Sequence, residues 1–364
     1  MLSSFPDKIR NEIREFRASW RWLVLSLILG FVGASIFVYY RLPLPWVLGA
    51  MAACTIATIA GVRIWIPHWL QFPMTLILGL LFGTTIAPNI FGRVLEWLPS
   101  VLSIFVFVLV TTGASMLYLT RAMKTDFITA YFSSSPGGVI PMTAMGTHYG
   151  GEMRVIALVQ SMRMIVTVAV LPVAFALFAG YHPTGSAGTG HTMAELSALD
   201  VPILIALAIG GWAGAKLARF PAPDLLGPLL VMGLLHSSGV YGAPIPDPLV
   251  ALAQLTSGAR LASGFYRLNL RTFGMQLLHA TTVALIMLAM GALFALALKP
   301  FSPLPMTALM LSYAPGGIAE MSLIAFGLGI EVVFVITHQL IRFFFVVGLV
   351  PLAVWAFKMK PKPD

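Results

Sequence analysis

Hydrophobic runs about twenty residues long recur along nearly the whole chain, and that recurrence leaves it few ways to fold. They fall at 22–40, 44–62, 70–88, 98–120, 127–149 and 155–179, then at 200–216, 224–240, 247–265, 275–298, 305–329 and 332–357. Backbone groups in hydrocarbon must be paired internally, so segments of this kind form helices. The pattern predicts an all-α polytopic membrane protein with 12 hydrophobic segments. Composition agrees: of 364 residues, 59% are hydrophobic and 10% charged, against about 25% charged in soluble domains. A soluble enzyme is excluded. Cys54, the single cysteine, rules out an internal disulfide and any multi-cysteine metal site. Nothing resembles a nucleic-acid motif.

The strongest internal signal is repetition. Arg41, Pro43 and Pro45, followed by Leu48-Gly49, return as Arg219, Pro221 and Pro223, followed by Leu226-Gly227, with an offset of 178. Gly61-Val62 returns at Gly239-Val240 with the same offset. Ser133 to Gly138 (Ser-Ser-Ser-Pro-Gly-Gly) returns as Ser312 to Gly317 (Ser-Tyr-Ala-Pro-Gly-Gly), offset 179. At that offset Met142 meets Met321, Gly150 meets Gly329, Glu152 meets Glu331, Gln160 meets Gln339, Arg163 meets Arg342 and Pro172 meets Pro351. Shared hydrophobicity does not align rare charges, prolines and glycines, so the chain reads as one duplicated six-segment unit.

Topology follows from the basic residues. Lys+Arg number 22 against 13 Asp+Glu, an excess that cytoplasmic loops and anionic headgroups collect. If the two Pro-Gly-Gly segments cross, Arg41, Arg93, Arg154, Lys216, Arg219, Arg267 and Arg271 all fall outside. If they are re-entrant hairpins, Arg154, Lys216, Arg219, Arg267 and Arg271 move inside and only Lys299 moves out. The second arrangement satisfies the positive-inside rule better. It gives about 10 transmembrane helices plus two re-entrant hairpins, an odd number of crossings per half, and hence two inverted repeats. The expected organisation is a cytoplasmic basic amphipathic segment 1–21 (Lys8, Arg10, Arg14, Arg17, Arg21), membrane repeat 22–179, external polar linker 180–199, membrane repeat 200–357 and cytoplasmic basic tail 358–364. No small-residue cleavage site follows the first apolar run, so no removable signal is read. Both termini are expected in the cytoplasm, at an inner (plasma) membrane.

Proline disfavours helix in the residue before it, and two following glycines permit a turn with positive φ. Such a break in hydrocarbon survives only inside protein or beside a water-filled cavity. Paired Pro/Gly interruptions at matched places point to a transporter's central site. The expected binding set is therefore Ser135, Pro136, Gly137 and Gly138 with Pro315, Gly316 and Gly317. Arg163 and Arg342 join it, each about mid-membrane at ~1.5 Å rise per residue, with Gln160 and Gln339 on the same helical faces. A buried arginine is costly unless paired or hydrated; a salt bridge from Arg342 to Glu320 or Glu331 is the structural alternative to an anionic ligand. Glu320, where the first half has Pro141, is the candidate coupling group for H⁺ or Na⁺; helix capping is its alternative. Glu152 and Glu331 suit helix starts. The hydroxyls of Ser133, Ser134, Ser135, Thr143, Ser312 and Ser322 each suit backbone satisfaction better than a ligand. Glycines 79 and 83, and 210 and 214, have small-xxx-small spacing for close helix packing, more often internal than at a homodimer interface.

The duplicated unit, with Ser-Pro-Gly-Gly at 135–138 and Ala-Pro-Gly-Gly-Ile-Ala-Glu-Met-Ser at 314–322, resembles the AbrB-type integral membrane protein family over nearly everything after residue 20. Val-Ile-Pro at 139–141 departs from the family pattern where an acidic residue belongs. The family also carries the labels regulator of gene expression and ammonia monooxygenase, and its name collides with an unrelated soluble DNA-binding regulator. An oxygenase needs clustered ligands, yet histidines 68, 148, 182, 191, 236, 279 and 338 are scattered. His182, His191 and Glu195 share one polar loop that needs no metal to explain it. The expectation is no enzyme and no cofactor, but a secondary transporter of a small anionic organic solute embedded in the lipid bilayer. The alternative is a membrane-embedded sensor that regulates gene expression through a partner protein.

Overall fold

The computed structural model describes residues 5–86, 94–178, 190–264, 270–357 and 359, with side chains from residue 19 onward and not for 94–95 or 270–273. The side chains of Lys8, Arg10, Arg14, Arg17, Arg93, His182, Arg267, Arg271, Lys358, Lys360 and Lys362, and linker residues 180–189, lie outside that description. Among the described residues the regular structure is entirely helical. The first half holds α1 (Phe5–Tyr39), α2 (Ala50–Ile59), α3 (His68–Gly83), α4 (Leu98–Tyr118), α5 (Phe127–Ser134), α6 (Val139–His148) and α7 (Met153–Phe178). The second holds α8 (Asp200–Leu217), α9 (Pro223–Ser237), α10 (Asp247–Ser263), α11 (Leu270–Leu298), α12 (Met306–Tyr313), α13 (Ile318–Gly327) and α14 (Val332–Ala356).

Among the described residues, six stretches are long and apolar enough to cross a bilayer: Ser19–Tyr39, Leu98–Met123, Met153–Phe178, Asp200–Leu217, Gly274–Phe301 and Val332–Ala356. The chain is thus a multi-pass membrane protein. The expected crossings at 44–62, 70–88, 224–240 and 247–265 form shorter helices of 10, 16, 15 and 17 residues, all of which end before the expected segments do; α2 is also preceded by a separate π-helical turn, Pro45–Gly49. The basic segment 1–21 is not a separate helix. From Phe5 onward α1 runs without a break into the first span, and no proline or glycine stands between Phe16 and Leu25.

Local geometry recurs at the sequence offset. Leu44 and Ala222, each preceding a proline that opens a helical turn, are left-handed with φ 45° and 46°. Arg41 and Arg219 share that region at φ 52° and 58°. Such angles are uncommon outside glycine, so both loops are shaped by the helices they join.

The chain divides into two compact units, each drawn from both halves of the sequence. One comprises Met1–Thr84 with His182–Leu268, the other Thr85–Tyr181 with Asn269–Asp364. In the first unit α9 packs on α3 and α8, while α10 packs on α2, α3 and α1. Small residues set the spacing. A Cβ on Gly49 would lie 2.7 Å from the Ala34 Cα, and one on Gly211 would lie 2.7 Å from the Gly227 carbonyl, so α1 and the Pro45–Gly49 turn that leads into α2, like α8 and α9, touch backbone to backbone. Gly79 meets the Leu225 carbonyl and Gly258 the Val47 carbonyl, the same contact made in both directions. The expected packing glycines Gly210 and Gly214 meet nothing within 4 Å; their face of α8, with Ile205 and Ile209, is exposed. Cys54, Ile64, Ala259 and Ala262 form a buried apolar cluster between α2 and α10.

In the second unit α11 packs on α7, α4 and α12, while α14 packs on α4, α12 and α13. Phe107, Phe294 and Tyr313 form an aromatic trio, with ring centroids 5.2–6.0 Å apart, that fixes α12 against α4 and α11. Edge-on rings at this spacing add about 0.5–1.5 kcal/mol per pair beyond area burial.

Candidate functional site

Both Pro-Gly-Gly sequences interrupt helices inside the second unit. α5 begins at Asp126, whose carboxylate accepts from the Thr129 N–H at 2.9 Å, and ends at Ser134 because Pro136 cannot continue it. Ser135 (ψ 123°) and Gly138 (φ −75°, ψ 145°) are extended, and α6 then starts. The second break matches it: Ala314 has ψ 131°, Gly317 has φ −84° and ψ 159°, and α13 follows.

The glycines of the breaks are not there for positive φ. None of Gly137, Gly138, Gly316 and Gly317 is in the left-handed region. They are there for room. A Cβ on Gly137 would press on the Met142 side chain at 2.9 Å, and one on Gly316 on the Met321 sulfur at 2.7 Å. The left-handed turns come later, at Gly150 (φ 90°) and Gly329 (φ 64°), which close α6 and α13 before the next helix.

Breaking a helix strands its last carbonyls, and α7 and α14 supply the donors. Gln160 Nε2 donates to the Phe132 and Ser135 carbonyls at 2.7 and 2.9 Å. Gln339 Nε2 donates to those of Leu311 and Ala314, both at 3.2 Å. One turn on, Arg163 Nη2 donates to the Gly137 carbonyl at 2.8 Å. Arg342 Nη1 donates to the Ala314 carbonyl at 2.5 Å, and Nη2 to Gly316 at 3.1 Å and to Gln339 Oε1. Both guanidiniums are buried, at 1% and 3% exposure. The salt bridge expected for Arg342 is absent: among the described residues neither arginine bonds a carboxylate.

The two breaks also reach across to each other's helices. Met164 of α7 lies against Gly317, and Phe343 of α14 lies against Gly138. These positions are themselves matched at offset 179, so each long helix clamps its own break and touches the other.

The remaining expected residues sort by their partners. Ser135, Ser312 and Ser322 turn their hydroxyls back to Tyr131, Leu309 and Ile318 carbonyls of their own helices. Ser133, Ser134 and Thr143 are buried with hydroxyls that meet no partner. Pro136 and Pro315 are buried at the breaks. Glu320 is half-buried and folds its carboxylate back over Gly317, the residue that opens α13, as a third-position acid does in a capping box.

Sequence reading missed a polar cluster beside the second break. His338 Nδ1 donates to the Phe334 carbonyl at 2.8 Å, and its Nε2 is hydrogen-bonded with Ser100 Oγ at 2.8 Å. Tyr313 Oη donates to the Ser100 carbonyl at 3.2 Å and also meets Ser103 Oγ. The signal was available: His338 precedes Arg342 by four residues on one helix face. Outside the membrane spans, in the first unit, His191 Nδ1 and Glu195 Oε2 are 2.6 Å apart. The Thr192 N–H, then the His191 and Thr192 side chains, hold the Glu195 carboxyl down to about 2. No group of three or more residues that could hold a metal ion occurs among the described residues.

Comparison with known proteins places this geometry in a lineage. The family described as "Transition state regulatory protein AbrB" matches residues 46–358. A Bacillus subtilis (strain 168) protein named "Uncharacterized protein YhjN" is 26% identical over 330 residues, covering 84% of this chain and 85% of its own. An Escherichia coli (strain K12) protein named "Putative regulator AbrB" is 26% identical over 327 residues, covering 88% and 91%.

Proposed function

This chain belongs to the AbrB family of membrane proteins, and from that premise we propose that it is a secondary transporter of a small, anionic organic solute. The solute binds at mid-membrane between two re-entrant hairpins, α5–α6 and α12–α13. One observation carries the reading: two buried arginines, one at each break, bond no carboxylate among the described residues. A buried charge left uncompensated costs several kcal/mol, and an anion that enters between the breaks supplies the compensation.

Helix lengths support the hairpins. α5 and α12 have 8 residues, α6 and α13 have 10, or roughly 12–15 Å each. Each piece reaches half the depth of a ~30 Å core. In this reading the halves are inverted repeats with ten crossings, the four short helices spanning a locally thinned bilayer. Both termini face the cytoplasm, as the distribution of Lys and Arg prefers. The molecule is not an enzyme and holds no resident cofactor or nucleic acid; its partners are the solute, the bilayer and a second copy of itself. Glu320, at the start of α13, carries the coupling H⁺ or Na⁺.

Uptake of an anion panel into proteoliposomes tests the proposal. Arg163→Ala/Arg342→Ala in folded protein is expected to reduce uptake by about 100-fold or more, as loss of ~3 kcal/mol or more at the site implies. Uptake unchanged in that variant removes the arginines from the mechanism. The printed descriptions of the family and of the Escherichia coli relative favour a second reading, a membrane-embedded regulator acting through a partner protein. Deleting residues 2–18 separates the two, because transport survives that deletion and docking on the basic N-terminal segment does not.

A further inference from the structure

The two arginines are matched in sequence but not in bonding. Arg342 commits both Nη atoms, to the Ala314 and Gly316 carbonyls and to Gln339, and only its Nε lacks a partner. Arg163 commits Nη2 alone, to the Gly137 carbonyl. Its Nε and Nη1 are buried with no acceptor, and Gln160 Oε1, one turn before, is buried with no donor. In the second half Arg342 itself satisfies the corresponding Gln339 oxygen. In the first, the Ser135 carbonyl accepts from Gln160 and from the Gly137 N–H, and Arg163 bonds neither that carbonyl nor the Gln160 oxygen. Ser133, Ser134 and Thr143 bring three more unpartnered hydroxyls to the same break.

Buried polar atoms are nearly always partnered, and so many orphans around one break mark a place where something else completes the bonding. We infer that Arg163 and Gln160, not the arginine pair, form the specificity site, and that it takes a small carboxylate bearing a neutral hydrogen-bond donor, a hydroxyl or an amide N–H. This rests on the anion-binding reading above and narrows it. Two free guanidinium nitrogens suit a two-oxygen, planar acceptor. The orphan amide oxygen of Gln160 requires a donor on the same ligand. A fully ionised tetrahedral anion such as sulfate has none to offer, and an ammonium group would be repelled by both guanidiniums. Arg342, its donors spent on the second break, is a structural clamp.

The experiment uses the full chain in detergent, with binding measured by calorimetry and folding by thermal melts. The probes are glycolate and lactate, their donor-free counterparts acetate and propionate, and sulfate. The expected result is glycolate or lactate binding about tenfold or more tighter than acetate or propionate, the value of one hydrogen bond to a buried group, with sulfate weaker still. Arg163→Gln abolishes that binding but melts near the wild type without ligand, whereas Arg342→Gln melts distinctly lower. Acetate binding as well as glycolate, with loss in Arg163→Gln, overturns the donor requirement and leaves the anion reading standing. No binding of any probe to folded wild-type protein overturns both. Arg163→Gln melting as low as Arg342→Gln while still binding overturns the division of roles, since Arg163 would then be a clamp as well.

Discussion

Alanine at Gly211 and alanine at Gly210 are adjacent single-methyl changes on α8, and the structure assigns them opposite signs. A Cβ on Gly211 would lie 2.7 Å from the Gly227 carbonyl carbon and oxygen and 2.8 Å from the Pro228 nitrogen. These are backbone atoms that no rotamer change can move aside. Restoring ordinary contact at ~3.5 Å requires the helices to part by roughly 0.7 Å. Overpacking of this kind costs about 1–3 kcal/mol. Alanine returns about 1 kcal/mol of helix propensity at either site. Gly211→Ala therefore nets a loss of up to about 2 kcal/mol, or several degrees of melting temperature. Gly210→Ala, with open space around it, keeps the propensity gain. Thermal melts of the two purified variants in one detergent, read by size-exclusion fluorescence, give the comparison. Equal melting temperatures, or a more stable Gly211→Ala, would refute the backbone contact between α8 and α9.

Gln339→Leu strips the donor from the Leu311 and Ala314 carbonyls and the acceptor from Arg342. It should destabilise the protein by about 2–4 kcal/mol, seen as a lower melting temperature and faster proteolysis; a melting temperature like the wild type's would mean the break does not depend on Gln339. Glu195 has a carboxyl held at about 2 rather than 4.5, so its ordering of the loop is fully present above pH 4.5 and is lost as pH falls through about 2. Carboxyl carbon NMR of ¹³C-Glu protein should place its midpoint near 2; a midpoint near 4.5 contradicts the loop geometry.

The helix breaks and the matched glutamines and arginines beside them were legible in the sequence, because proline, glutamine and arginine are rare in hydrocarbon and each occurs twice at one spacing; that these side chains bond the breaks' own carbonyls was not. What the glycines do was not. Their need follows from the Met142 and Met321 side chains lying across the turn, a contact three dimensions decide. Rotation about a helix was also hidden: glycines 210 and 214 had the better spacing, yet Gly211 faces the neighbour. The unequal bonding of Arg163 and Arg342 turns on which carbonyl each guanidinium reaches, and no spacing rule encodes that.

The interleaving of the two compact units sets a timetable for synthesis. α1, α2 and α3 complete their unit only with α8, α9 and α10, and residues 85–181 of the other unit are made in between. At ~5–20 residues per second, the interval from Gly83 to Ser263 is on the order of 10–35 s. During it Gly79 and Gly83 have inserted but their partners on α9 do not yet exist. The nascent chain must therefore be held in the bilayer, or by an insertion factor, with its closest-packing faces unmatched. Pausing or truncation after residue 181 strands both units at once, so neither half of the molecule can be made well alone.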